Sequence, residues 1–230
     1  MTTISDNLQA VKSRVRAAVH ATGRPDGAVR LLAVSKTWPA DTVRAAWVAG
    51  QRAFGENYVQ EAVTKITALD DLDLEWHFIG PLQSNKTRDV AEHFAWVHSI
   101  DRLKIAERLA AQRPAHLPPL QVCVQVNVSG EESKSGVAPE EVGALVRAVA
   151  KLPRLCLRGL MTIPEPSEDP AVLRRRFALL RELRDRLNAE GMQLDVLSMG
   201  MSDDLEIAIA EGATIVRVGT AIFGARVRFD

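Results

Sequence analysis

The stretch Leu31-Leu32-Ala33-Val34-Ser35-Lys36-Thr37 is an apolar run that ends on a lysine just before Trp38 and Pro39. Four consecutive apolar residues between Arg30 and Pro39 are typical of a short strand that is buried on both faces, as in a parallel sheet. The sequence therefore predicts a parallel strand whose carboxyl end is at Lys36.

Lys36 occupies a position where α/β proteins often bind ligands. In α/β barrels and open α/β sheets, substrates and cofactors bind at the carboxyl ends of the strands. An amine that is partly desolvated there loses its proton more easily and can attack a carbonyl group. The alternative is an ordinary solvated charge at the end of a strand, since most lysines lie on the surface. Position alone leaves both interpretations open.

The composition is that of an ordinary globular protein. Of the 230 residues, 47% are hydrophobic and 25% are charged, and 29 Lys+Arg balance 29 Asp+Glu. This balance gives no overall attraction to nucleic acid or to an anionic membrane.

The N-terminus lacks the pattern of a signal peptide, and no apolar run approaches the roughly 18 residues that span a bilayer. Cys123 and Cys156 lie in apolar runs without metal-ligand spacing. We expect a cytoplasmic protein with reduced cysteines and no metal.

Apolar runs alternate with amphipathic segments along the chain. After the first strand, further strands are predicted near residues 53–55, 76–79, 95–98, 120–127, 155–161, 194–197 and 214–218. Amphipathic helices are predicted between them, including one that begins with Pro139 at its first position and a long one over about 170–190. An additional helix precedes the first strand, with Ser5-Asp6 as its cap and an apolar face formed by Leu8, Val11, Val15 and Val19.

Eight strands, each separated from the next by a helix, predict parallel pairing through right-handed crossovers. A chain of this length then closes naturally into one (β/α)₈ TIM-type barrel, here a single domain over residues 1–230 with an extra N-terminal helix. Little chain remains after the eighth strand for a closing helix, so we expect the N-terminal helix to cover that gap. An open doubly wound sheet is the alternative.

The loops after the last two predicted strands have the features of a phosphate site. Gly219-Thr220 follows the eighth strand, and Ser198-Met199-Gly200-Met201-Ser202 follows the seventh. In TIM barrels these loops often bind phosphate through backbone N–H groups at the start of a short helix. The alternatives are an ordinary turn glycine at 219 and an ordinary N-cap at Ser202, opening a helix over 203–211. The neighbouring pair Asp203-Asp204 would repel an anion unless both side chains point away.

A lysine after the first strand and a phosphate site after the last two predict a phosphorylated carbonyl compound across the barrel mouth. Pyridoxal 5′-phosphate (PLP) fits this description. A phosphosugar that is cleaved through a Schiff base, as in an aldolase, would use the same two features.

Seven motifs fall in order at the predicted strand ends: Ala33-Val-Ser-Lys36-Thr, Phe54-Gly-Glu-Asn57-Tyr-Val-Gln-Glu61, His77-Phe-Ile-Gly-Pro-Leu-Gln-Ser-Asn85-Lys86, Ser133-Lys134-Ser-Gly136, Leu160-Met161-Thr, Ser198-Met-Gly-Met-Ser202-Asp and Arg217-Val-Gly-Thr-Ala-Ile-Phe-Gly224. Together they resemble the pyridoxal phosphate homeostasis protein family over nearly the whole chain. That family's barrel resembles the N-terminal domain of alanine racemase, PLP fold type III.

The resemblance implies roles for individual residues. Lys36 would be the Schiff-base lysine, Arg217 would face the pyridine nitrogen, and Ser202, Gly219 and Thr220 would hold the phosphate. It also implies a role in vitamin B6 and amino/keto acid homeostasis.

Other residues near the predicted strand ends carry open alternatives. Asn57 either bonds the phenolic oxygen of the cofactor or is a turn residue. His77 faces the same mouth or is a satisfied core histidine. Lys134 either is a solvated charge or receives the aldehyde during transfer. Met199, with Met201, is expected to pack around the cofactor ring.

Arg217 limits the chemistry that a PLP site would support. A guanidinium only donates hydrogen bonds, so it keeps the pyridine nitrogen unprotonated and makes the ring a weaker electron sink than a carboxylate partner would. The alternative for Arg217 is an inward strand residue paired with carboxylates in the barrel. A racemase also needs a second acid or base on the other face of the substrate, and the only tyrosine, Tyr58, is as suited to packing.

We therefore expect a monomeric protein that holds PLP as a Schiff base and delivers it, without efficient turnover, to PLP-dependent apo-enzymes as transient partners. A racemase-like enzyme and a phosphosugar aldolase are the alternatives.

Overall fold

The computed structural model describes residues 3–130 and 135–225. The strands are β1 Arg30–Val34, β2 Ala53–Glu56, β3 Glu75–Phe78, β4 Trp96–Ile100, β5 Leu120–Gln125, β6 Leu155–Met161, β7 Val196–Ser198 and β8 Ile215–Val218. The helices are α1 Ile4–Ala21, α2 Ala40–Val48, α3 Val59–Ala68, α4 Thr87–His93, α5 Leu103–Gln112, α6 Val142–Val149, α7 Pro170–Ala189, α8 Leu205–Ala210 and α9 Thr220–Phe223, with a 3₁₀ turn at Ser84–Lys86 before α4.

The eight strands form a closed parallel barrel in the order of the sequence. Closure depends on the pairing of β1 with β8, in which Leu31 lies opposite Val216 and Ala33 opposite Val218. The predicted (β/α)₈ barrel is confirmed. An open doubly wound sheet is excluded because its first and last strands would not pair.

Helix α1 occupies the gap that an eighth outer helix would fill, as expected. It packs against α2, α8 and α9, and the side-chain Nδ2 of Asn7 donates to the Ile222 carbonyl at 3.0 Å. Its cap lies two residues earlier than the sequence suggested. Thr3 is the N-cap and forms a capping box with Asp6, so the assignment of Ser5-Asp6 as the cap was wrong. The threonine hydroxyl accepts from the Asp6 amide and satisfies a free donor at the helix start.

Two other helix starts differ from the prediction. Pro139 lies in a turn closed by the Glu141 amide on the Ala138 carbonyl, and α6 begins only at Val142. Ser202 is not an N-cap, because α8 begins at Leu205. The Asp204 carboxylate accepts from the Met201 amide at 2.6 Å. That bond folds residues 201–204 into a turn instead of a first helical turn.

The strands separate two apolar layers. Their outward residues pack under the helices in one large core that includes Phe54, Phe78, Leu109 and Phe177. Their inward residues form a second, smaller core with one member from or next to each strand: Leu32, Ala53, Ile79, Trp96, Cys123, Met161, Val196 and Ile215. This is the layered interior of a TIM barrel. Among the described residues, no helix is long and apolar enough to cross a membrane.

Candidate functional site

A cavity of about 430 Å³ opens at the carboxyl ends of the strands. Six of the seven residues predicted to bind the cofactor line it: Lys36, Asn57, Ser202, Arg217, Gly219 and Thr220. They come from the ends of β1, β2, β7 and β8. The structure thus brings the amine after the first strand and the small polar residues after the last two strands to one cavity.

Met199 is the predicted residue that the structure does not place on the cavity. It is fully buried in the outer core, whereas Met201 lines the cavity. Side chains alternate along a strand, so Val196 and Ser198 point into the barrel while Leu197 and Met199 point toward the helices. Gly200, at φ +95°, then turns the chain so that Met201 faces the mouth.

The turn that carries Lys36 is held on both sides. The Ser35 hydroxyl donates to Glu56 Oε1 at 2.6 Å, and the Thr37 amide donates to Glu61 Oε1 at 2.6 Å. Thr37 has φ +69°, a left-handed conformation that is unfavourable for a β-branched residue. The bond to Glu61 therefore stabilises a strained turn directly next to Lys36.

Lys65 organises these two carboxylates and was missed by the sequence analysis. Only 4% of it is exposed, and its Nζ bonds Glu56 Oε1 at 2.6 Å, Glu61 Oε1 at 2.7 Å and the Ser35 carbonyl at 2.8 Å. Burial raises the pKa of Glu56, against the opposing charge and hydrogen bond of Lys65. We call Ser35, Glu56, Glu61 and Lys65 the β1 clamp. The one available signal was a charged Glu56 at the end of an apolar strand, which requires a buried partner.

Arg217 enters the cavity from the barrel interior. It is 3% exposed, and its Nη1 donates to Ser198 Oγ and its Nη2 to the Thr162 carbonyl, both at 2.8 Å. Burial lowers the pKa of Arg217 to about 10, so the guanidinium is still charged at neutral pH. Both acceptors are neutral groups, so the alternative of an arginine paired with carboxylates in the barrel was wrong.

The loop after β8 lies directly beside the end of β1. A Cβ at Gly219 would lie 3.1 Å from the Val34 carbonyl oxygen, so a side chain there would push the two strand ends apart. The first N–H groups of α9 follow Gly219 and have no partners within the helix. Asp204 points away, into its turn, and only Asp203 of the acidic pair lines the cavity.

Arg14 is a further lining residue that the sequence did not indicate. It reaches the cavity from α1, where its Nη2 donates to the Ser202 carbonyl at 3.0 Å and its Nε and Nη2 bond Glu206 at 2.8 and 3.0 Å. The contact joins residues 188 positions apart, so no local pattern reveals it. It fixes the loop that carries Ser202.

Three other candidates lie elsewhere. His77 is fully buried and bonds Glu75 and His98; of its two alternatives, the satisfied core histidine is confirmed, and the side chain does not face the mouth. Tyr58 is 55% exposed and lines a neighbouring cavity that shares Asn57 with the first. Lys134 lies outside the described residues.

Comparisons with known proteins agree with this geometry. Residues 7–227 match the family model described as alanine racemase, N-terminal domain. A pyridoxal phosphate homeostasis protein of Pseudomonas aeruginosa is 64% identical over 226 residues, which cover 98% of this chain and 97% of that protein.

Solved structures of two other proteins have a similar fold. PipY of Synechococcus elongatus, solved with PLP bound, is 39% identical with a TM-score of 0.84, over 96% of this chain and 100% of that chain. An alanine racemase from Corynebacterium glutamicum, 18% identical with a TM-score of 0.70, shares the fold over 95% of this chain and 62% of that chain.

Proposed function

The chain belongs to the pyridoxal phosphate homeostasis protein family, and we propose that it holds PLP in the cavity at the barrel mouth and delivers it to other proteins. The observation that carries the proposal is the meeting of Lys36, Arg217 and the β7 and β8 loops in one cavity. PLP has an aldehyde, a pyridine nitrogen and a phosphate. A primary amine, a fixed cation and loops with small polar residues are the groups that would bind these three parts.

The residues present fit the cofactor. The cavity volume, about 430 Å³, lies within the roughly 300–1,000 Å³ of small-molecule sites. The Asn57 Oδ1 is buried and no described residue bonds it, so this oxygen can accept a hydrogen bond from a ligand. Arg217 has two Nη donors engaged and keeps further N–H groups, since a guanidinium has five.

Each residue has a role in holding the cofactor. Ser202, Gly219 and Thr220 would bind the phosphate, Arg217 would face the pyridine nitrogen, and Asn57 would bond the phenolic oxygen. The β1 clamp orients the turn of Lys36, whose amine would meet the aldehyde. When bound, PLP supplies an aldehyde that condenses reversibly with primary amines.

The titratable side chains of the cavity favour a carrier over an enzyme. Among the described lining residues they are Lys36, Asp203, Arg14 and Arg217. Arginines are poor proton acceptors at neutral pH, and Asp203 belongs to the loop at the phosphate end. Racemisation needs two proton-transfer groups, one on each face of the substrate, and Lys36 would be only the first. This supports delivery without efficient turnover.

Two assays test the carrier directly. The protein loaded with PLP should activate a PLP-dependent apo-enzyme, because transfer between amines requires no proton abstraction at the α-carbon. It should incorporate solvent deuterium into L-alanine far more slowly than the ordinary enzymatic range of about 1–10³ per second. Deuteration within that range would favour the racemase-like alternative, and failure to activate the acceptor would contradict delivery.

We also propose that the protein is a cytoplasmic monomer built from one barrel domain over residues 1–230. Sedimentation at micromolar concentration tests the monomer, and a mass twice that of the 25.2 kDa chain would contradict it.

A further inference from the structure

A continuous row of hydrogen bonds crosses the inside of the barrel. Beginning at the cavity, Arg217 Nη1 lies 2.8 Å from Ser198 Oγ, which lies 2.8 Å from His98 Nδ1. His98 Nε2 lies 2.9 Å from His77 Nδ1, and His77 Nε2 lies 2.6 Å from Glu75 Oε1. We call Arg217, Ser198, His98, His77 and Glu75 the interior row.

The row runs from one end of the barrel to the other. Glu75 opens β3 at the amino end of the strands, where Arg30 Nη1 lies 2.6 Å from its Oε1. The side chains of Arg30 and Glu75 are 43% and 34% exposed, whereas Ser198, His98 and His77 are fully buried. The His77 ring is also stacked on Trp96, with centroids 5.3 Å apart. The middle of the row is therefore closed to solvent and fixed by packing.

The two ends of the row determine where every hydrogen lies. A guanidinium only donates, so Ser198 Oγ must accept from Arg217. At the other end the Glu75 carboxylate only accepts, so His77 donates to it from Nε2. A neutral His77 then accepts at Nδ1 from His98 Nε2, and a neutral His98 accepts at Nδ1 from the Ser198 hydroxyl. With both histidines neutral, all bonds run in one direction.

The electrostatics agree with this arrangement. Burial lowers the pKa of His77 despite the hydrogen bond and charge of Glu75. Burial, followed by the charges of Arg217 and Arg30, lowers the pKa of His98 well below its ordinary value. Burial opposes ionisation of Glu75, but the hydrogen bond from His77 and the charge of Arg30 hold the pKa of Glu75 below its ordinary value. These are the charged and titratable groups that face the two histidines.

We propose that Ser198, His98 and His77 are positioning residues that hold Arg217 in the orientation its ligand requires, with Glu75 fixing the direction of the row from the opposite end of the barrel. Because Ser198 is committed as an acceptor, one Nη of Arg217 is locked and the remaining N–H groups stay directed at the cavity. Because both histidines are neutral, the guanidinium is the row's only positive charge at the cavity. The ligand role rests on the proposed function, whereas the proton arrangement stands without it.

Nitrogen NMR of the full-length protein without ligand tests the proton arrangement. With ¹⁵N-labelled histidine, His77 and His98 should both show the Nε2–H tautomer and should not titrate between pH 8 and 6. A Nδ1–H tautomer or a cationic ring at either position in that range would overturn the arrangement. This measurement needs no ligand, so its outcome is separate from that of the proposed function.

Substitution of Ser198 tests the positioning role. Ser198→Ala removes the acceptor of a charged donor, and we expect the affinity for pyridoxamine 5′-phosphate, which lacks the aldehyde, to fall about 10-fold or more. Ser198→Thr, which keeps the hydroxyl, should restore most of it. Ser99→Ala on β4 is the control, since the buried Ser99 hydroxyl has no partner among the described groups. Equal affinities of the Ser198→Ala and Ser99→Ala proteins would overturn the role. If Ser198→Ala fails to fold, His98→Gln takes its place with the same expectation.

Discussion

The two faces of the barrel strands carry different chemistry, and strand β7 with its extension shows the contrast in four residues. Leu197 and Met199 point outward into the large apolar core under the helices. Val196 and Ser198 point inward, where Ser198 joins His98 to Arg217. In this stretch the outward residues contribute shape and hydrophobicity, whereas Ser198 on the inward face contributes a hydrogen-bonding group to the interior row. The outer core therefore stabilises the barrel, whereas the interior row connects Arg217 at the mouth to buried polar side chains.

The largest loss of stability should come from the outer core. Phe177 is fully buried on α7, and Phe177→Ala should lower the free energy of unfolding by about 3–5 kcal/mol through lost burial and a residual cavity. Affinity for PLP in the folded fraction should be unchanged. Urea denaturation measures the first quantity and ligand titration the second. Val48→Ala is the control, because Val48 is 75% exposed. A similar loss in both variants would contradict the assignment of Phe177 to the core.

The side chains of the β1 clamp lie on the outward face, but they hold the turn of Lys36 at the barrel mouth. The clamp therefore shows whether a polar group on the outward face contributes to stability. Lys65→Met leaves Glu56 buried without its cation and should cost about 3 kcal/mol at pH 7.5. Part of this loss should return at lower pH. The folded-state pKa of Glu56 is raised, so protonation as pH falls through that value favours the folded state.

The second variant Glu56→Gln separates charge from packing in the clamp. In the Lys65→Met background it should recover stability at pH 7.5, because it removes the uncompensated carboxylate. Urea denaturation at pH 7.5 and 5.5 gives both comparisons. A loss that neither low pH nor Glu56→Gln reduces would show that Lys65 acts through packing alone.

The interior row predicts a smaller, pH-dependent effect. His77 and His98 have folded-state pKa values below their ordinary ones, so below about pH 6.5 the unfolded chain binds protons that the folded protein does not. Stability should therefore fall as pH drops, by up to about 1.4 kcal/mol per pH unit for each histidine. His98→Gln should reduce the slope between pH 6.5 and 5.5 by roughly one proton. An unchanged slope would remove His98 from the titrating groups.

The smallest effect on stability is expected at Lys36 itself. Lys36→Ala should change the free energy of unfolding by less than about 0.5 kcal/mol, since the turn is held through Ser35 and Thr37. The variant should still bind PLP non-covalently, because the β7 and β8 loops are a separate anchor. Equilibrium dialysis measures the retained binding, and its complete loss would mean that the two anchors are not independent.

The sequence predicted the parts of the molecule that depend on local pattern. Apolar runs located all eight strands, and the positions of Lys36, Asn57 and Gly219 at strand ends placed them on one cavity. Pattern failed where a contact depends on how a helix packs on the strands. Lys65 occupies an ordinary helical position, and only its packing against Glu56 shows that it is buried.

No local sequence pattern indicates the hydrogen bonds of the interior row either. His77 and His98 lie 21 residues apart, and only the barrel register brings their rings together. Met199 and Met201 could not be separated either, because the choice depends on the left-handed turn at Gly200. Such features follow from tertiary packing, which one sequence does not display.

The attachment point of the cofactor is the most direct test of the proposed site. The full-length protein is loaded with PLP, reduced with borohydride, digested and mapped by mass spectrometry, with Lys36→Ala treated in parallel. We expect one stoichiometric label on Lys36 and no stoichiometric label in the variant. A label on another lysine, or equal labelling of the Lys36→Ala protein, would contradict the proposed site.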